Sequence, residues 1–138
     1  MTDGATRMQV IQQFIPASPL PAELGIRLEE IAPDRARLAL PYADRLATIG
    51  DVVHGGAIAT LADTAAMAAA WASDDVPEQL SGATVSLTLD YLAAARGDLT
   101  ADAHVLRRGG RLVYVRVDVA DAAGTPVAAA QAVYSLGR

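Results

Sequence analysis

A chain of 138 residues, 52% hydrophobic and 20% charged, is long enough for one domain with a real core and carries no low-complexity tract. It contains no Cys and no Lys, all eleven cations being Arg, which excludes thiol nucleophiles, disulfides, thiolate metal sites, Schiff-base lysines and the P-loop lysine. The two histidines, His54 and His104, are too few for a His-rich metal centre, and a net charge of -5 argues against general affinity for nucleic acid or anionic membranes, leaving a small molecule as the default partner.

The first twenty residues lack a basic stretch, and Gln12 and Gln13 interrupt the only apolar run there, so a cytoplasmic protein without signal peptide or anchor is expected. MQVIQQFI places Met8, Ile11, Phe14 and Ile15 at helical spacing, and the prolines of PASPLP are expected to stop that helix. GIRLEEIAPDRARLALPY alternates around a Pro33-Asp34 turn and predicts two strands. GAIATLADTAAMAAAWA, with nine alanines and one formal charge, favours a helix that is apolar on every side and belongs inside a wrapped sheet. As a membrane span it is short, Ala-rich and broken by an aspartate. Past residue 80 the period becomes two: Val85, Leu87, Leu89 and Tyr91 alternate with Thr84, Ser86, Thr88 and Asp90. The same alternation runs through LTADAHVLRR, RLVYVRVDVA and PVAAAQAVYSL, with turns at Gly109-Gly110 and Ala123-Gly124, so four successive strands predict an antiparallel meander. The expectation is a single α+β domain over residues 1–138, an antiparallel sheet wrapped around one long central helix at about residues 54–73.

Asp63 is the anomaly of that helix. Its neighbours three and four residues away are Ala59, Thr60, Ala66 and Met67, so no cation on the helix neutralises it. A carboxylate held there costs about 1–3 kcal/mol even when hydrogen-bonded, and the bland explanation, an acid bonded to backbone or to a nearby hydroxyl, competes with a chemical one. At the head of the helix Gly55 and Gly56 carry no side chains, and their N–H groups, backed by the helix dipole, are suited to a polarised carbonyl or an oxyanion. A base and an oxyanion donor together make an acyl-transfer site. Eight residues of helix separate the two by about 12 Å, so one chain cannot aim both at one carbonyl. Two antiparallel copies of the helix in a two-fold dimer would bring Gly55 of one chain near Asp63 of the other, with the site at the subunit interface. Met67 and Trp71, four apart, read as core packing first and ligand contact second, and Met67 is kept as a candidate substrate contact.

HGGAIATLADTAAMAAA closely resembles the central-helix signature of hotdog-fold acyl-CoA thioesterases of the phenylacetate-pathway (PaaI-like) type. The following strand block, with its RGD and its RRGGR turn, resembles the same family. The resemblance implies a homo-oligomer, a dimer or a dimer-of-dimers homotetramer, that hydrolyses acyl-CoA and takes no cofactor beyond the coenzyme A of its substrate. It implies that the Gly55 amide polarises the thioester carbonyl, that Asp63 is nucleophile or general base, that the Thr84 hydroxyl helps place the attacking water, and that His54 braces the helix start. One departure stands out: the family usually has Asn or Gln six residues before the histidine, where this chain has Thr48, shorter and without an amide donor.

Other polar residues read differently. His104 alternates with Thr100 and Asp102 on a polar strand face and is expected at the surface. Asp74 and Asp75 mark a solvated helix end. Arg107, Arg108 and Arg111 flank a glycine turn; they are either edge charges or, in an acidic protein, the place that receives the phosphates of coenzyme A. Two rival functions sit on the same fold: a noncatalytic acyl-CoA sensor or carrier, and a dehydratase acting on a hydroxyacyl thioester through a His and an acid.

Overall fold

The computed structural model describes residues 4–137. Helix α1, Arg7–Ala17, opens with a capping box in which Thr6 accepts from the Gln9 N–H and the Gln9 side chain accepts from the Thr6 N–H. The prolines that were expected to end this helix do something else. Pro16 sits inside α1, and Pro19 starts a second helix, α2 (Pro19–Leu24), because a proline has the right φ for the first helical turn and lacks only an N–H that turn leaves unpaired. Gly25, at φ +83°, ends α2 in the left-handed conformation that glycine alone adopts cheaply.

Strands β1 (Arg27–Ala32) and β2 (Arg35–Leu40) form the expected hairpin, with Asp34 at φ +65° in its turn. A 3-10 turn, Asp44–Leu46, and a small hairpin of β3 (Ala47–Ile49) and β4 (Val52–Val53) follow; neither is foreseen by the hydrophobic pattern. The central helix α3 spans Gly55–Ala70, and four long strands complete the chain: β5 (Gly82–Tyr91), β6 (Leu99–Arg108), β7 (Leu112–Asp121) and β8 (Pro126–Leu136).

Six strands make one antiparallel sheet in the order β1-β2-β6-β7-β8-β5, wrapped around α3 as the hotdog resemblance implies. The four-strand meander needs correcting. Strands β6, β7 and β8 are consecutive neighbours, but β5 lies beyond β8, leaving the flank of β6 to β2. The connection from β5 to β6, residues 92–98, carries no tight hairpin turn and bridges Val52 to Arg96, which lets the chain cross the end of the sheet.

The core lies between α3 and the inner face of the sheet. Leu38, Leu99, Val113, Val115, Val117 and Val127 are fully buried against Leu61 and the alanines of α3. Alanine costs no rotamer entropy in a helix and lets the strands approach its backbone closely, which explains why a helix so poor in large side chains still makes a core. That helix is not enclosed on every side, however. Gly56, Ala59, Thr60, Asp63 and Met67 follow helical spacing and form one stripe that the protomer leaves partly open.

Candidate active site

The head of α3 is built around a clamped peptide. His54 is the N-cap residue, anchored by donation of its N–H to the Leu46 carbonyl at 2.7 Å. Its Nδ1 accepts the Gly56 N–H at 2.8 Å. On the other side the Tyr91 hydroxyl, from the end of β5, donates to the Gly55 carbonyl at 2.7 Å. The peptide unit joining Gly55 to Gly56 is thus held at both its N–H and its C=O. Two adjacent glycines would otherwise be the most mobile start a helix can have. Glycine is also required here by close approach, since a Cβ on Gly55 would stand 3.1 Å from the Tyr91 ring and one on Gly56 would stand 3.0 Å from His54 Nδ1. Gly56 is therefore not the second open donor expected from sequence: its N–H is spent on His54. The Gly55 N–H donates to no protein group among the described residues, and it faces the positive end of a 16-residue helix.

A hollow of about 480 Å³ lies at this helix head, lined by Thr48, Val53, Gly55, Gly56, Ile58 and Tyr91, among others. Thr48 is thereby brought beside Gly55, on the exposed strand β3.

Asp63 stands two turns further on, half-buried, with its Oδ1 accepting from Thr84 Oγ1 at 2.7 Å. A bulge makes that contact possible. Strict alternation along β5 puts Thr84 on the same face as Thr88 and Asp90, turned away from α3. The register against β8 slips between Thr84 and Ser86, so Thr84 pairs with Tyr134 and joins Leu87 and Leu89 on the inner face. The hydroxyl then meets the carboxylate of its own chain. Asp63 is not among the residues lining the hollow at Gly55, and the helix length separates the two groups by about 12 Å.

This pairing of a free amide at a helix head with a hydroxyl-bonded acid can be set beside known proteins. The sequence profile of the thioesterase superfamily matches residues 50–128, a span that includes Gly55, Asp63, Thr84 and Tyr91. The chain belongs to the thioesterase superfamily. A Halobacterium salinarum protein that carries an esterase name is 36% identical over 135 residues, covering 91% of this chain and 89% of its own. The medium/long-chain acyl-CoA thioesterase YigI of Escherichia coli is 29% identical over 142 residues, with 91% and 90% covered. Among solved structures, a thioesterase family protein from Silicibacter pomeroyi matches with a TM-score of 0.86 at 23% identity over 94% of this chain and 96% of its own. The E. coli PaaI protein of the phenylacetic acid degradation operon matches with a TM-score of 0.80 at 20% identity, covering 99% and 100%. At those identities the two structures speak for the hotdog fold, and thioester hydrolysis is the general chemistry that family membership brings.

In this thioesterase-superfamily chain the three arginines near the glycine turn do not form a cluster. A second bulge, between Val105 and Arg107 on β6, turns Arg108 to the inner face opposite Val113 and Arg107 to the outer face opposite Tyr114. Arg108 donates to the carbonyls of Ala70 (2.9 Å) and Ala69 (3.3 Å) and to Asp34 Oδ1 (2.9 Å), so it caps the C-terminus of α3. That geometry takes Arg108 out of the phosphate-binding role considered for it, and it is not an edge charge either. Arg107 and Arg111 are exposed and make no ion pair among the described residues. His104 is exposed on the outer face, paired across strands with Arg35 and Arg116, far from α3, as the alternation of β6 implies. No helix among the described residues is long and apolar enough to cross a membrane.

Two residues of the site escape sequence reasoning. Tyr91, 36 residues from Gly55, reads only as an apolar strand residue until β5 is folded against the helix head. Tyr134 is buried between Trp71 and Asp63; its hydroxyl accepts from Trp71 Nε1 at 3.1 Å, and burial first, then the Asp63 charge, push its phenol above the ordinary tyrosine value.

Proposed function

We propose that this protein hydrolyses acyl-CoA thioesters in a site shared by two copies of the chain, the Gly55 N–H of one polarising the thioester carbonyl while Asp63 of the other supplies the base or nucleophile. The observation that carries this reading is the unspent Gly55 amide at the head of α3, beside a peptide unit clamped by His54 and Tyr91 and in the wall of the hollow. Attack at the carbonyl carbon converts its oxygen into an oxyanion, which that amide and the helix dipole stabilise; collapse breaks the C–S bond and expels coenzyme A as a thiolate, which then takes up a proton. Asp63 either takes the proton of the attacking water or attacks the carbon itself, with Thr84 holding the carboxylate. The chemistry needs no metal and no redox cofactor.

Three features support the second copy. The helical stripe from Gly56 to Met67 is open in the protomer and consists mostly of small residues, so two helices can approach closely across it. Strand β5 is an edge of ten residues with its ladder unpaired on one side. Ile49, Val85 and Leu92 are large, apolar and more than half exposed near these elements. Of the three arginines at the glycine turn, Arg107 and Arg111 are left to receive the phosphates of coenzyme A. YigI acts on medium- and long-chain acyl-CoA by name, which supports the same substrate class here.

Release of free thiol from an acyl-CoA panel tests the activity, and subunit mixing tests the shared site. Asp63→Asn and Gly55→Pro, the second removing the donor N–H at a first helical position where proline's φ fits, should each be inactive, yet co-refolded together they should recover about a quarter of wild-type turnover, since half the dimers are mixed and each mixed dimer holds one intact site. An inactive mixture with dimers formed would refute the sharing. One observation favours a noncatalytic acyl-CoA sensor as the second reading: Thr48 lines the hollow where the family places an amide side chain. Saturable binding without thiol release would establish it. A dehydratase role for His54 is disfavoured because its Nδ1 is already occupied by the Gly56 N–H.

A further inference from the structure

Beneath α1 lies a cavity of about 320 Å³, separate from the hollow at Gly55 and walled by Val10, Phe14, Met67, Trp71, Leu80 and Tyr134. We infer that this cavity receives the acyl chain, and that Trp71 at its floor limits the substrate to straight chains of about eight to ten carbons. The inference rests on the thioester reading of Asp63.

Two elements lead from the carboxylate to this cavity. Along α3, Met67 is one turn beyond Asp63 on the same face, about 6 Å away. Along β5, Gly82, also in the cavity wall, is two residues before Thr84, about 7 Å away on the same side. The bonded Asp63–Thr84 pair is not itself in the lining but stands one helical turn from Met67 and two strand residues from Gly82, beyond that end of the cavity. Trp71 is at the other, a further turn along α3 and about 12 Å from Asp63 along the axis. Its indole is held by the hydrogen bond to Tyr134, so this floor is rigid. Gly82 is needed for that arrangement: a Cβ there would stand 2.7 Å from the Tyr134 hydroxyl.

Length and volume then agree on the occupant. With C–C bonds of about 1.52 Å and tetrahedral angles, an extended alkyl chain advances about 1.25 Å per carbon, so about 12 Å takes about ten. At about 30 Å³ per water-sized group, the volume also holds about ten. A phenyl ring underfills it, since a cavity of about 150 Å³ already accommodates benzene. The walls are apolar, and Phe14 (46% exposed) and Leu80 (50% exposed) stand at the opening, where large side chains in contact with water gain from an apolar guest.

The test joins a chain-length profile with a binding signal. Thiol release from straight-chain acyl-CoA of four to sixteen carbons should give a kcat/KM maximum at eight to ten carbons and a fall of about tenfold or more by fourteen. Val10→Phe should move the maximum to four to six carbons; should it fail to fold, Ala17→Phe, at an exposed position in the same wall, should do the same. Trp71 is the only tryptophan in the chain, so its fluorescence reports the floor directly. A non-hydrolysable S-decyl-CoA thioether should change that emission saturably, and Val10→Phe or Ala17→Phe should weaken the response. Hydrolysis whose length profile ignores the filling variants overturns the pocket and leaves the hydrolase reading intact. Absence of hydrolysis with a saturable Trp71 response overturns the hydrolase reading and leaves the pocket. Filling variants that change the sedimentation behaviour without moving the profile assign the cavity to a contact between copies and overturn the inference.

Discussion

Replacing Arg108 with Met should destabilise the protein without weakening coenzyme A binding. The substitution keeps most of the side chain's length but removes a guanidinium that is about three-quarters buried, its side chain being 26% exposed. Two carbonyls at the end of α3, those of Ala69 and Ala70, lose a charged donor, and hydrogen bonds to charged groups contribute about 1.5–3 kcal/mol. The ion pair with Asp34 adds less, at most about 1 kcal/mol, because that carboxylate is more than half exposed and screened. The combined loss is about 2–3 kcal/mol, allowing for solvent reaching the freed carbonyls. For 138 residues the unfolding entropy is about 0.3 kcal/mol per degree, so Tm should fall by about 7–10 °C. Differential scanning calorimetry at fixed protein concentration measures this, with KM for an acyl-CoA determined on the same preparation. A Tm within about 2 °C of wild type, together with a severalfold rise in KM, would refute the capping argument and restore Arg108 to the substrate.

Asp63→Asn keeps the shape of the side chain and an acceptor for Thr84, so turnover should fall by about two to four orders of magnitude while Tm holds or rises; a less stable but fully active variant would show the acid to be structural. Tyr91→Phe removes the hydroxyl from the Gly55 carbonyl and loosens the clamped peptide, so kcat should drop about tenfold with KM unchanged, and a kcat equal to wild type would show the clamp to be idle. Thr48→Asn places an amide in the hollow at Gly55 and should raise kcat/KM by a factor of about five to ten, the worth of one hydrogen bond; an unchanged value would show that another group already fills that role. Tyr134 is held above the ordinary tyrosine value by burial, and Tyr42 by burial and then Asp44, so the folded chain keeps both phenols neutral where the unfolded chain ionises them. Stability should therefore be level with respect to these groups below about pH 10 and fall as pH rises through the folded values, and urea titrations should show a shallower alkaline decline in Tyr134→Phe.

Most of the elements and the chemical suspects were legible without coordinates, because their signals are local. The apolar spacing of MQVIQQFI, the alanine run of α3, the lone Asp63 and the paired glycines are each readable within a few residues, and helix length alone shows that Gly55 and Asp63 cannot serve one carbonyl within one chain. What tertiary structure decided is where side chains point. Alternation assigns both Thr84 and Arg108 to the outer face; one bulge in β5 and one in β6 reverse these assignments, carrying Thr84 to Asp63 and Arg108 to the end of α3. Tyr91 reaches Gly55 only because β5 is placed at the sheet edge beyond β8, a strand order that the local pattern leaves undetermined. A bulge is a one-residue slip against a partner strand, and strand order is a choice among partners. Hydrophobic periodicity within one segment carries information about neither, since both are settled by the competition of whole faces for burial against the same helix.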